Sequence, residues 1–209
     1  MTFKEYKEQV KRTLPDLSKK MLGENLVNSI HMTLGMASED HEFMIAINKG
    51  DKTNIMEELI DKLWYLTNYI NINNIKCIDS IGESIDKLIY ETNYLPDDII
   101  EILKDDNDTE NIISDPIFIM LIMQGLLIDM DKKELAYDKE KDRNIMFVAS
   151  NNLLRSIHNY CLDEDLDLKQ GMKNNILKLF VRYPDKFNTN NAVIRDLIAE
   201  REALENKNL

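Results

Sequence analysis

The sequence predicts an all-α fold. Three observations lead there: apolar residues recur at helical spacing along most of the chain, glycine and proline are scarce (6 and 4 in 209 residues), and no segment alternates with a period of two. After a break at Pro15-Asp16, Leu26, Ile30 and Leu34 mark a first apolar stripe. Lys49-Gly50-Asp51-Lys52-Thr53 interrupts the pattern, and Ile55, Leu59, Leu63 and Leu66 form a second stripe. Asn71 to Asn74 breaks the chain again before Ile81, Ile85 and Leu88, and further breaks fall at Tyr94-Leu95-Pro96-Asp97 and Asp105 to Asp108. Pro116 suits the first turn of the next helix, where a missing N–H costs nothing, and Asp115 suits its N-cap. The run Pro116 to Ile128 has no polar face and reads as a buried helix. Leu153, Ile157 and Tyr160 mark another stripe, closed by Asp163 to Asp165; Ile176 and Leu179 mark the last, closed by Tyr183-Pro184-Asp185.

The chain is long enough for one sizeable core or two small repeats. Its 38 acidic and 26 basic residues leave a formal charge of −12, which argues against nucleic acid as a partner. The most apolar stretch, Pro116 to Ile128, is broken by Gln124-Gly125 and is too short to span a bilayer, so no membrane partner is expected. Cys77 and Cys161 read as free thiols in a reducing compartment, and with no secretory segment at the start the expected location is the cytoplasm.

Two pairs of acids carry the chemistry. Glu39 and Glu42 are three apart, and Glu58 and Asp61 repeat the spacing. Positions i and i+3 share a helix face, so each pair projects from one side of its helix. Either pair alone reads as a solvated face. Glu58 and Asp61, however, lie among Ile55, Leu59, Leu63, Trp64 and Leu66, where charges are seldom left unpaired. If the two helices pack antiparallel, four carboxylates converge, and that is costly without a cation between them. A hard divalent ion such as Mg²⁺ takes oxygen ligands and completes its shell with water and phosphates. The pattern therefore reads as a metal site for phosphate chemistry.

An internal repeat is also legible. Gly35 and Gly125 are ninety residues apart, and Asn54-Ile55-Met56 recurs at the same offset as Asn144-Ile145-Met146, with Leu63 falling on Leu153. At that offset Glu39 falls on Asp129, Glu42 on Lys132, Glu58 on Val148 and Asp61 on Asn151. The expectation is a degenerate duplication with one working metal site, in residues 1–105, and a second repeat in 106–209. Residues from roughly 20 to 105 and from roughly 110 to 190 should form two related halves about a pseudo-twofold axis, with 54–70 and 144–160 in equivalent places.

Several segments together resemble the MazG-like, all-α nucleoside triphosphate pyrophosphohydrolases, especially the versions encoded by bacteriophages. Phe3-x-Glu5-Tyr6 and Arg12-Thr13 are similar to the start of those proteins. Leu34-Gly35-Met36-Ala37-Ser38-Glu39-Asp40-His41-Glu42 resembles their first metal-binding segment, and Asn54 to Leu66 the second. Asn175-Ile176-Leu177-Lys178-Leu179-x-x-Arg182-Tyr183-Pro184-Asp185-Lys186-Phe187, with Arg195-Asp196 beyond, is similar to the closing helix and tail. This chain departs from the family in having Asp40-His41 where small residues are common, and Ile60 where glycine usually precedes the last aspartate.

The resemblance implies hydrolysis of a nucleoside triphosphate between its α- and β-phosphates, giving the monophosphate and pyrophosphate. It implies Mg²⁺, or Mn²⁺ in its place, held by Glu39, Glu42, Glu58 and Asp61, with Asn175, Lys178, Arg182 and Tyr183 as nucleotide contacts. Many relatives are dimers of four-helix bundles and some, among them the dimeric dUTPases, carry a fused repeat; this chain is thus expected as a monomeric pseudo-dimer or a homodimer. The cytoplasm concerned is that of a bacterial host if the chain is phage-encoded. By position Glu42 is the carboxylate left to orient the attacking water. Lys178 and Arg182, four apart, could reach a triphosphate together or form a solvated basic face. His31, His41 and His158 show no zinc spacing with the cysteines, and Trp64 reads as core, although an aromatic beside the acids could stack on a base. The alternative reading is a nucleotide-binding module of the same fold that has lost turnover.

Overall fold

The computed structural model describes residues 22–76, 115–184 and 193–205, and among these it holds six α-helices and no strand. The amino-terminal motif from Phe3 to Thr13, the break at Pro15-Asp16, Cys77, the periodic stretch from Ile81 to Leu88, the breaks around Pro96 and Asp105 to Asp108, and Asp185 to Phe187 lie outside the described residues.

Helix α1 (Glu24–Lys49) stops at Gly50, whose left-handed φ of 64° lets its N–H turn back to the Ile47 carbonyl at 3.0 Å. The next residue, Asp51, caps α2 (Lys52–Ile72) by accepting from the Asn54 N–H at 3.1 Å. A link this short leaves α2 no course but antiparallel to α1.

Helix α3 (Pro116–Tyr137) starts as the sequence predicts, with Asp115 accepting from the Ile117 N–H at 2.8 Å. It does not stop at Ile128. Asp129 bridges Lys132 at 2.6 Å and Lys133 at 2.5 Å, one turn on, while Met130 and Asp131 face inward, so the helix continues to Tyr137. Nor is it buried all round: Ile119, Met120, Met123, Leu127 and Met130 form the buried stripe, and Leu121 is 49% exposed. Helix α4 (Arg143–Asp163) is capped by Asp142, α5 (Leu168–Arg182) by Asp167, and α6 (Leu197–Glu205) follows.

The α1–α2 and α3–α4 hairpins pack on each other, α1 against α3 and α2 against α4. Helix α5 lies on α2, and α6 covers α5. The apolar stripes merge into one core in which Met36, Leu59, Leu66, Met123, Leu127, Leu153 and Ile157 are fully enclosed. A polar cluster closes one end. Asp131, 2% exposed, accepts from Ser29 at 2.8 Å and Thr33 at 2.9 Å and pairs with Lys141 at 2.6 Å, and Lys141 also donates to Asn73 at 3.0 Å. Each partner satisfies a group that would otherwise be stranded in the core. Cys161 is free and buried, and burial pushes its thiol up to about 12. No helix among the described residues is long and apolar enough to cross a membrane.

Helices α2 and α4 share their ends. Both have 21 residues and an aspartate cap, and both are followed by a left-handed non-glycine residue, Asn74 (φ 49°) and Asp165 (φ 54°). Both close with a bond back five residues, Ile75 N–H to Ile70 O at 3.0 Å and Leu166 N–H to Cys161 O at 2.7 Å. These landmarks lie ninety-one residues apart, one more than the Asn-Ile-Met match. The two glycines of that match have unlike surroundings: a Cβ on Gly35 would strike Tyr65, whereas nothing stands within 4 Å of one on Gly125.

Candidate metal centre

On α1 the residues Met32, Met36, Phe43 and Ala46 form the buried stripe, and Glu39 falls within it. On α2 Glu58 stands one residue before Leu59, and Asp61 one turn further along. Where the hairpin brings these stretches together, carboxylate oxygens of Glu39, Glu58 and Asp61 all lie within 4.8 Å of one another. Glu58 is 9% exposed, and Glu39 and Asp61 are half-buried. Burial, its hydrogen bond with Glu39 and the charges of Glu57, Glu42 and Glu39 push the Glu58 carboxyl up to about 9. Burial likewise raises Glu39, with Asp61 and Glu42 adding to the effect. Among the described residues no other set of acids, histidines or cysteines converges in this way.

The fourth expected ligand, Glu42, does not join. Glu42 is exposed and outside this group of oxygens, close enough for its charge to act on Glu39 and Glu58. On α1 the stripe runs through 36, 39 and 43, and position 42 lies off it.

Helix α5 brings two of the four expected nucleotide contacts to the acids. Lys178, fully buried, sets its Nζ 2.7 and 2.6 Å from the two oxygens of Asp61 and 3.2 Å from Glu57. Asn175 Nδ2 donates to Asp61 Oδ1 at 2.5 Å. Arg182 instead grips Glu200 of α6 through Nε at 3.1 Å and Nη2 at 2.5 Å, and Arg195 grips the same carboxylate at 2.6 Å. Burial pushes Glu200 up, but the two guanidiniums outweigh it and hold the carboxyl at about 2. The Tyr183 ring lies 6.0 Å from the Arg182 guanidinium.

Sequence reasoning missed Tyr65. Its hydroxyl is raised by burial and by Glu39, Asp61 and Tyr183, and lowered by Arg182, so it is within electrostatic reach of both the acids and the end of α5. Trp64, expected in the core, is 39% exposed and meets Tyr65 edge-on at 5.0 Å; exposed His31 meets it from α1 at 6.1 Å. The reason is register: Trp64 shares the exposed face of α2 with Thr67 and Asn71, while Leu63 and Leu66 on either side of it are buried. Gly35 was a readable signal for Tyr65, since a Cβ there would stand 2.2 Å from the ring. Gly35→Ala is expected to displace Tyr65 and destabilise the fold by roughly 1–2 kcal/mol, overpacking outweighing the gain in helix propensity. Thermal unfolding with near-ultraviolet circular dichroism checks both effects.

A cavity of about 790 Å³ opens beside this site between α2, α5 and α6, with Met56, Ile60, Leu166 and Leu204 as its apolar wall and Asn174 as a polar one. Glu57 lines the cavity and also meets Lys178.

Residues 28–94 match the family model described as the MazG nucleotide pyrophosphohydrolase domain. The match spans all four acids of the two motifs and agrees with the motif resemblance over this part of the chain. Asn175, Lys178, Arg182 and Tyr183 lie beyond it. No curated protein and no solved structure matches the chain.

Proposed function

We propose that this MazG-like chain is a Mg²⁺-dependent nucleoside triphosphate pyrophosphohydrolase that cleaves between the α- and β-phosphates, releasing a monophosphate and pyrophosphate. The observation that carries the reading is the meeting of Glu39, Glu58 and Asp61, from two helices, with Lys178 and Asn175 of a third. The donor set is all carboxylate oxygen, which fits a hard cation and Mn²⁺ as its substitute. An acid raised to about 9 by burial and by its acidic neighbours is a group that a divalent cation returns to its charged form. Glu39, Glu58 and Asp61 would hold the ion. When bound, it supplies charge neutralisation and polarises a phosphoryl oxygen, so no protein nucleophile is required.

The chain's own residues supply the rest. Asn175 and Lys178 fix the Asp61 carboxylate, and Lys178 brings a buried positive charge to where a triphosphate's charge would sit. Glu42, exposed at the edge of the trio, orients the water. The water oxygen bonds to the attacked phosphorus, the bridging P–O bond breaks, and the water's proton passes to Glu42 and on to solvent. Tyr183 at the end of α5, and Arg182 by exchanging Glu200 for a phosphate, would be further nucleotide contacts, and the exposed Trp64 offers a face on which the base stacks.

The shared landmarks of α2 and α4 support the duplication as a proposal. In the ninety-one-residue register Glu58 corresponds to Ala149 and Asp61 to Asn152, which fits one working site per chain, in the first half. The chain itself would then be the pseudo-dimer, with further homodimerisation optional.

A panel of ribo- and deoxyribonucleoside triphosphates with Mg²⁺, its products separated, tests the function. Pyrophosphate with the monophosphate is expected from at least one substrate; orthophosphate as the sole phosphate product rules out α–β cleavage.

A further inference from the structure

Directly behind the acidic trio lies a second polar group that neither the motifs nor the family match assigns a role. Asp40 follows Glu39 on α1, and Lys62 follows Asp61 on α2; the two form a direct ion pair that staples the helices one residue away from each proposed ligand. The second oxygen of Asp40 accepts from Gln124 Nε2 of α3 at 2.7 Å. Lys62 is 2% exposed and Gln124 4%, and the Asp40 side chain is 18% exposed. Three helices thus meet on one carboxylate whose two oxygens are both engaged, which leaves Asp40, and the turn of α1 carrying Glu39, a single orientation.

The composition of this group is unusual for a merely structural contact. A buried ion pair is seldom more stabilising than two apolar side chains in the same space, because both charges lose their water. Gln124 also leaves its Oε1 buried without a hydrogen-bond partner, a cost that an apolar residue would avoid. A directional contact is what a ligand cluster needs, since ligand positions must hold to about half an ångström.

We propose that Lys62, Asp40 and Gln124 are positioning residues that set the separation of Glu39 from Glu58 and Asp61, and so tune the cation affinity of the trio. The inference rests on the reading of the trio as a divalent-cation site.

The test is Mn²⁺ binding by calorimetry on the full chain, alongside thermal unfolding without metal. The double variant Asp40→Leu/Lys62→Met removes the pair without stranding a charge. Its metal-free unfolding midpoint is expected to stay close to the parent's, the gain from removing the buried pair being offset by the Gln124 Nε2 left without its acceptor, while its Mn²⁺ affinity falls roughly 10–100-fold, the usual loss when groups supporting metal ligands are removed. Gln124→Met, which keeps the ion pair, should fall in the same direction and serves if the double variant does not fold. Lys62→Arg, which keeps the ion pair to Asp40, should retain most of the affinity. Mn²⁺ affinity within about twofold of the parent in the double variant or, where that does not fold, in Gln124→Met overturns the proposal and leaves the metal site standing. A parent protein that binds no Mn²⁺ overturns the metal site and this inference with it.

Discussion

Glu58→Gln is expected to lower pyrophosphate release on the order of 10²-fold or more while leaving the helical fold intact. Loss of one ligand from the trio removes several kcal/mol of charge stabilisation at the reacting phosphates. Glutamine has the shape of glutamic acid, and the site already favours the uncharged form, since burial and neighbouring acids raise Glu58 to about 9. The sign of the pH effect follows. The folded state binds this proton more tightly than the unfolded chain, whose glutamate titrates near 4.5, so the metal-free protein loses stability as pH rises from about 4.5 to about 9. In Glu58→Gln that decline should be shallower. Mg²⁺ should raise the parent's unfolding midpoint most at the alkaline end of this window, where fewer protons compete with it, and should do little for the variant. Thermal melts across the window, with and without Mg²⁺, check each part.

Asp61→Ala should be inactive for a related reason but should behave differently as a folded protein. Lys178 is fully buried, and Asp61 meets it with both oxygens. Removing the carboxylate leaves a buried ammonium with only Glu57, at 3.2 Å, and strips Asn175 of its acceptor. A cost of about 3 kcal/mol is expected, the low end for breaking a buried pair, because Glu57 remains. Denaturant unfolding measures it, and Asp61→Ala/Lys178→Met should regain much of that stability without regaining activity. Loss of activity with parental stability in Asp61→Ala would contradict the ion pair drawn here.

The contrast between these two acids shows what was legible in the sequence. Helical periodicity exposed the helices and most of their ends, because caps such as Asp115 and breaks such as Gly50-Asp51 are local. The end of α3 was not readable: Asp138 takes a left-handed φ of 52° without being glycine, and no proline marks the stop. The acid pairs were visible by spacing, yet spacing alone could not separate Glu39, on the buried stripe, from Glu42, just off it. Partners distant in sequence left no local trace. Gln124 on Asp40, Lys178 on Asp61 and Lys141 on Asp131 are each set by how the hairpins dock, and Arg182 is drawn to Glu200 by the packing of α6 on α5.

Electron paramagnetic resonance of Mn²⁺ titrated into the parent chain and into Glu58→Gln tests the central claim most directly, because it reads the ion at the acidic trio without depending on the choice of nucleotide. The account predicts a saturable site in the parent that added Mg²⁺ displaces and that is lost or greatly weakened in Glu58→Gln. No saturable Mn²⁺ signal in the parent, or equal binding by the two proteins, would contradict it.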